Sequence, residues 1–274
     1  MVSELYLLGY GPHVYTKHEG KMAGFVRPKS ILFSNDGLLT DVPDGFFEFA
    51  FVNHSDCHEK VPENIPTIFT SHGLSDIEHP ARMVNCHVAV SEEIAAKHGA
   101  DTIIRNGVDC HRFRPRTPAK KKLETVLYLS HPHYKSAQNI VREACSKYGV
   151  RFLQVEHEMF HIERLILQAD LVIGFGRGLL ESMACGRNVL SADWREYYMD
   201  GFEGGGMVTP DNFDTLKQDN FTGRMSGQIE FDADSLCAEF EKYDSERGEW
   251  LRERVLDEFN IEKTVQEYLM LGGA

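Results

Sequence analysis

The 274-residue chain lacks any unbroken apolar run of about 18 residues, the length a helix needs to cross a bilayer. Its first residues have no basic stretch ahead of an apolar one, and Glu4 stands there instead. No secretory leader is therefore expected, and the cytosol is the expected compartment. Positive charge is scarce. Lys and Arg number 29 against 42 Asp and Glu, a formal net charge of −13. That balance disfavours a general binder of nucleic acid or anionic membrane, because phosphate contacts need clustered cations. No Cys-x-x-Cys pair occurs among the six cysteines, so neither a zinc site nor a dithiol redox motif is expected. Reduced thiols suit the expected compartment. His54/His58 and His131/His133 have spacings that could suit a metal, but no clear helix accompanies them, and no metal is expected. Internal repeats and low-complexity tracts are absent too.

What is present is the composition of a folded chain, with 42% hydrophobic and 26% charged residues. Short apolar runs alternate with amphipathic stretches. The pattern predicts strands at 4–8, 30–33, 47–52, 67–70, 88–90 and 103–104, the second, third and fourth each bounded by Gly, Pro, Asn or Asp. Ser91-Glu92-Glu93 reads as a capped helix start. After the Pro-rich, basic stretch 114–122 the rhythm restarts. Strands are predicted at 125–129, 151–155, 171–173 and 189–192, with helices at 136–148, 161–168 and 178–185 between them. Helices are also predicted at 235–243 and 246–271, the second broken near Asn260. Alternating strands and helices imply an α/β fold with parallel sheets. The stretch 114–122 is expected to divide two Rossmann-like halves and to act as a hinge. Between Arg105 and Lys122 lie seven basic residues and one acid, Asp109, a solvated linker or a local docking surface for an anionic acceptor.

The most informative segment runs from Ala169 to Leu190, Ala-Asp-Leu-Val-Ile-Gly-Phe-Gly-Arg-Gly-Leu-Leu-Glu-Ser-Met-Ala-Cys-Gly-Arg-Asn-Val-Leu. A buried strand leads into a glycine-rich turn and then a helix. Such a turn lets backbone amides approach a phosphate, and the helix start favours negative charge. Arg177 adds a forked donor, and Glu181 is a carboxylate able to accept from a ribose diol. The glycines at 174, 176 and 178 do not make a dinucleotide G-x-G-x-x-G. The residues alone leave open a phosphate site or a plain tight turn.

This segment resembles the donor-site signature of GT-B glycosyltransferases of the family-4 type, E-G-F-G-x-x-x-x-E-A-M-A-C-G-x-P-V. Gly174-Phe175-Gly176, Glu181, Met183-Ala184-Cys185-Gly186 and Val189 match it. Upstream, Val90-Ser91-Glu92, then Ile104-Arg105-Asn106-Gly107-Val108-Asp109, then Phe113-Arg114-Pro115 follow that family's order. Ile68-Phe69-Thr70-Ser71-His72-Gly73 is similar to its strand-plus-histidine that faces the donor sugar. The matches span roughly 66–192. Two departures stand out. The first Glu of the signature falls on Ile173, and the phosphate-binding G-R…K-G appears as Ser130-His131…Lys135-Ser136, which keeps the lysine and loses the arginine.

The resemblance implies an α/β GT-B fold of two Rossmann-like domains with parallel sheets and a central cleft. It places an acceptor-side domain at 1–116, a nucleotide-sugar domain at 117–255 and a closing helix at 256–274 that packs back on the first. It implies transfer of a hexose or related sugar from a nucleoside-diphosphate sugar, UDP- or GDP-linked, to an acceptor hydroxyl with retention. His72 would contact the sugar, with Lys135 and Arg177 stabilising the leaving diphosphate. Gly174, Phe175, Gly176 and Gly178 would cradle the donor, and Glu181 would hold its ribose. No cofactor or bound metal is implied. Two other readings remain: a glycosyltransferase acting on modified DNA bases, and a GT-B protein that binds a nucleotide without transfer.

Overall fold

A computed structural model describes residues 1–10, 13–16, 31–34, 48–129, 135–155, 159, 161–194, 201–225 and 229–273. The chain divides into two compact units, one of Met1–Gly107 with Ile261–Ala274, the other of Val108–Asn260. Among the described residues no helix is long and apolar enough to cross a membrane.

The first unit contains a four-stranded parallel sheet of β3 (Ala50–Val52), β4 (Thr67–Ser71), β5 (Cys86–Ala89) and β6 (Thr102–Ile103), in that order. A separate parallel pair joins β1 (His13–Thr16) to β2 (Ile31–Ser34). Every residue of β4 is buried, as expected of a strand covered on both faces. The helix read at Ser91 is present at Glu92–His98. Ser91 Oγ accepts from the Ile94 amide, and the helix ends on left-handed Gly99.

The last helix, Ile261–Gly272, belongs to this unit. Val265 and Leu269 pack on Leu5, while Tyr268 joins Ile68, Val88 and Ile104 and its hydroxyl lies 3.0 Å from Thr70 Oγ1. The helical stretch that precedes it, Arg247–Glu258, belongs to the second unit, with the break at Phe259–Asn260.

The first residues are helical, Val2–Leu7, rather than the expected strand at 4–8. A strand would have buried Leu5 and Leu7 together. Instead Leu5 is buried while Tyr6, Leu7 and Leu8 are exposed, the one-sided burial of a short helix.

The second unit holds a six-stranded sheet: β7 (Thr125–Tyr128), β8 (Arg151–Gln154), β9 (Leu171–Gly174), β10 (Asn188–Asp193), β11 (Glu203–Met207) and β12 (Ile229–Glu230). Their spatial order is β12-β11-β10-β9-β7-β8. The first four strands in sequence run parallel, and β11 and β12 are antiparallel additions. β11, absent from the sequence reading, is Glu-Gly-Gly-Gly-Met, too glycine-rich to show a strand pattern. Two apolar layers cover the sheet. One centres on the helix Gly176–Ala184 with Leu251, Val255 and Phe259, and the other on Lys135–Tyr148, which buries Ala137, Val141, Ala144 and Cys145 at helical spacing. Burial pushes the Cys145 and Cys185 thiols up to about 12.

The stretch 114–122 is not a free linker. It lies inside the second unit, and the first unit ends at Gly107, short of the expected 116. Buried Arg187 donates to the Thr117 carbonyl at 2.7 Å and to Thr117 Oγ1 at 3.1 Å. Asp170 accepts from the amides of Lys120, Glu124 and Thr125. Tyr243 donates to the Lys120 carbonyl at 2.7 Å. Hydrogen bonds of this number fix a segment, whatever its proline content.

Candidate functional site

In the second unit the sequence-first strand, β7, lies between β8 and β9. This is the doubly wound order in which the chain reverses direction across the sheet between its first and third strands. Ligands of such sheets sit beyond the carboxyl ends of those two strands, where their exits diverge. Here the two exits carry most of the candidate residues. β9 leaves through Gly174-Phe175-Gly176 into the helix Gly176–Ala184. β7 leaves through Leu129, and Lys135 opens the next helix. Lys135 is exposed. Ser130, His131 and His133 lie outside the described residues.

The turn after β9 is built for close approach. Gly176 has φ +59, in the left-handed region where a side chain is strained. A Cβ on Gly178 would stand 2.6 Å from Leu129 Cδ2, so the absent side chain lets the helix start against the end of β7. Phe175 is extended, with its ring 5.4 Å from that of Trp194. Below the turn, Leu179, Leu180, Met183 and Ala184 are fully buried and anchor the helix.

Not every amide in the turn faces outward. The Gly176 N–H donates to the Asn220 carbonyl at 3.0 Å, so it is already committed. The amides of Arg177 and Gly178, in the first turn of the helix, have no acceptor within it.

Glu181 lies one turn further along. Its side chain is 15% exposed, and Arg177 Nε stands 3.3 Å from its Oε1. Burial holds the Glu181 carboxyl above the usual carboxylate range. Arg177 and Arg112 partly counter this, and Glu163 reinforces it. Arg112 reaches Glu163 Oε2 through Nε at 3.1 Å and Nη2 at 2.8 Å, and His161 Nδ1 is 3.0 Å from Glu163 Oε1. Burial pushes Glu163 up, but its bonds to Arg112 and His161 prevail and leave it below the ordinary value. Asp109 Oδ1 accepts from the amides of His111 and Arg112 and shapes the turn that presents Arg112.

Ile173, where the resembling signature has its first Glu, is wholly buried in β9 and paired with Leu190 and Tyr128. His72 belongs to the first unit, the other candidates to the second. It follows β4, is exposed, donates its amide to Glu78 Oε2 at 2.6 Å, and has Nε2 3.3 Å from Asn53 Oδ1.

Sequence reasoning missed Asn220, Arg112 and Glu163. Asn220 and Phe221 both adopt left-handed backbone at φ 57 and 60, which no motif announces. Arg112 is visible only as one basic residue among seven, and its partner is 51 positions away. Among the described residues, no group of three or more His, Cys, Asp or Glu could hold a metal ion.

No protein-family model matches the sequence, and no curated protein does. Several solved structures resemble the fold, two of them at the following levels. Alr3699/HepE of Anabaena, solved in complex with UDP and glucose, is 15% identical, with 98% of this chain and 94% of that one covered and a TM-score of 0.58. AviGT4, a glycosyltransferase involved in avilamycin A biosynthesis, is 12% identical, with 98% and 86% covered and a TM-score of 0.51. The chain therefore has the α/β GT-B fold, with a parallel sheet in the first of its two Rossmann-like units and a mainly parallel one in the second.

Proposed function

We propose that this protein transfers a sugar from a nucleoside-diphosphate sugar to an acceptor hydroxyl, with retention of configuration. The observation that carries the reading is the β9–glycine turn–helix at the switch point of the second sheet, with the largely buried carboxylate of Glu181 one turn in. The donor's diphosphate would lie over the Arg177 and Gly178 amides, and its ribose diol would donate to Glu181. Charge grows on the diphosphate as the glycosidic bond breaks, so the chief catalytic task is to stabilise it. Lys135 and Arg177 are the cations assigned to that task. His72 is assigned to the transferred sugar. A UDP- or GDP-linked donor is the expected substrate, with no cofactor.

The test is turnover of a panel of UDP- and GDP-sugars with simple hydroxyl acceptors, followed by the anomeric proton coupling of the product. A retained anomer and nucleotide release that persists in EDTA are expected. An inverted product, or loss of turnover on chelation, would contradict the proposal.

A second reading is favoured by Ile173. A wholly buried strand residue supplies no carboxylate to a sugar, so nucleotide binding without transfer is the alternative. Nucleotide affinity with no turnover on any donor would select it. Action on modified DNA bases would show as a gel shift with a steep salt dependence.

A further inference from the structure

The Arg177–Glu181 pair is an odd one for a helix to keep. The cation precedes the acid at i,i+4, the less favourable order. Arg177 also lies in the first turn, where the helix dipole disfavours positive charge. Its side chain is 69% exposed, so packing does not hold it there. The contact runs through Nε to a single carboxylate oxygen, which does not use the forked geometry in which guanidinium binds most strongly. Glu181 is the opposite kind of partner, 15% exposed and short of solvent.

We propose that Arg177 gates Glu181: its guanidinium occupies the carboxylate that a ribose diol needs, and it moves aside only for a ligand that brings phosphate to the same turn. The inference rests on the nucleotide reading above and adds to it a residue that sets selectivity between nucleoside diphosphate and bare nucleoside. A neutral diol competes poorly with a guanidinium for a carboxylate, because its hydroxyls bring no opposite charge to offset the carboxylate's. A diphosphate offers Arg177 a forked partner on the favourable side of the helix dipole, one turn away. Arg112 does not move with it. Its two bonds to buried Glu163 hold it in place, so Glu181 keeps one compensating cation when Arg177 leaves.

The signature is a change of opposite sign for two ligands. Uridine and guanosine are uncharged, so loss of a distant surface charge would not alter their affinity. Binding is measured by calorimetry at pH 8, with UDP, GDP and the matching nucleosides as probes. In Arg177→Gln, nucleoside affinity should rise about two- to fivefold as the competitor is lost. Diphosphate affinity should fall about tenfold or more. In a Glu181→Gln background the same substitution should leave nucleoside affinity unchanged. Arg177→Lys, which keeps the charge without the fork, should fall between. A fall for both ligands, or unchanged nucleoside affinity, overturns the gate while leaving the nucleotide site intact. If the wild-type protein binds neither UDP nor GDP, the nucleotide reading fails and the gate falls with it.

Discussion

The carbonyl of Asn220 accepts the Gly176 amide at 3.0 Å, and both residues sit in left-handed backbone, at φ 57 and +59. Two left-handed positions, of which only Asn220 is strained, are thus locked together at the mouth of the glycine turn. Non-glycine residues avoid this region at a cost of about 1–2 kcal/mol. The strain persists because Phe221, the next residue, is buried against Phe213 and Phe259. Backbone strain of this kind collects where a site needs a fixed shape. Gly176→Ala should lower stability by about 1–2 kcal/mol in urea unfolding, since alanine is strained there and its Cβ meets Asn220 Nδ2 at 3.3 Å. An unchanged midpoint would contradict the assignment.

Asp170 provides a second test, on the segment expected to be a hinge. Its carboxylate takes three amides, from Lys120, Glu124 and Thr125, at 2.9 to 3.1 Å. Asp170→Ala should cost about 2–4 kcal/mol, since charged acceptors contribute more than neutral ones and the amides lose their partner. Protease cleavage within 114–122 should also accelerate. A midpoint within about 0.5 kcal/mol of wild type would show the segment to be independent of the sheet.

Much of the second unit is legible in sequence because its strands are continuous apolar runs between helices of clear period. The strand at Leu171–Gly174, the turn and the helix at Gly176–Ala184 read directly from 171–185. The break near Asn260 is legible because the apolar spacing loses phase between Phe259 and Ile261. Long-range partnerships are not legible. Glu163 joins Arg112, Asn220 closes on Gly176, and Arg187 ties down Thr117 across tens of residues, with only local patterns to announce any of them. Proline and charge at 114–122 suggested a hinge because the side chains that tie down its backbone lie at positions 170, 187 and 243.

The raised carboxyl of Glu181 yields a prediction with a definite sign. Burial disfavours its charged form, Arg177 on its own helix and Arg112 counter this, and Glu163 adds to it. A carboxyl bound more tightly to its proton in the folded state lowers stability once both states are ionised. Glu181→Gln should therefore raise the urea midpoint at pH 7, and the gain should shrink as pH falls toward the ordinary carboxylate range and vanish below it. Nucleotide affinity should meanwhile fall. A variant less stable than wild type at pH 7 would show Glu181 to be a structural acid.

Lys135 is assigned to the leaving group rather than to ground-state binding. Lys135→Ala should lower kcat by about 100-fold with little change in KM, as for loss of one stabilising donor. A rise in KM alone would place Lys135 in uniform binding of the donor instead.

The most direct test of the central claim is calorimetric titration of UDP and GDP into the wild-type protein and Glu181→Ala. The account predicts that one nucleotide binds the wild type, and that the variant loses about 10- to 100-fold in affinity, the effect of removing a charged hydrogen-bond partner. Binding of both nucleotides to the variant as tightly as to the wild type would contradict it.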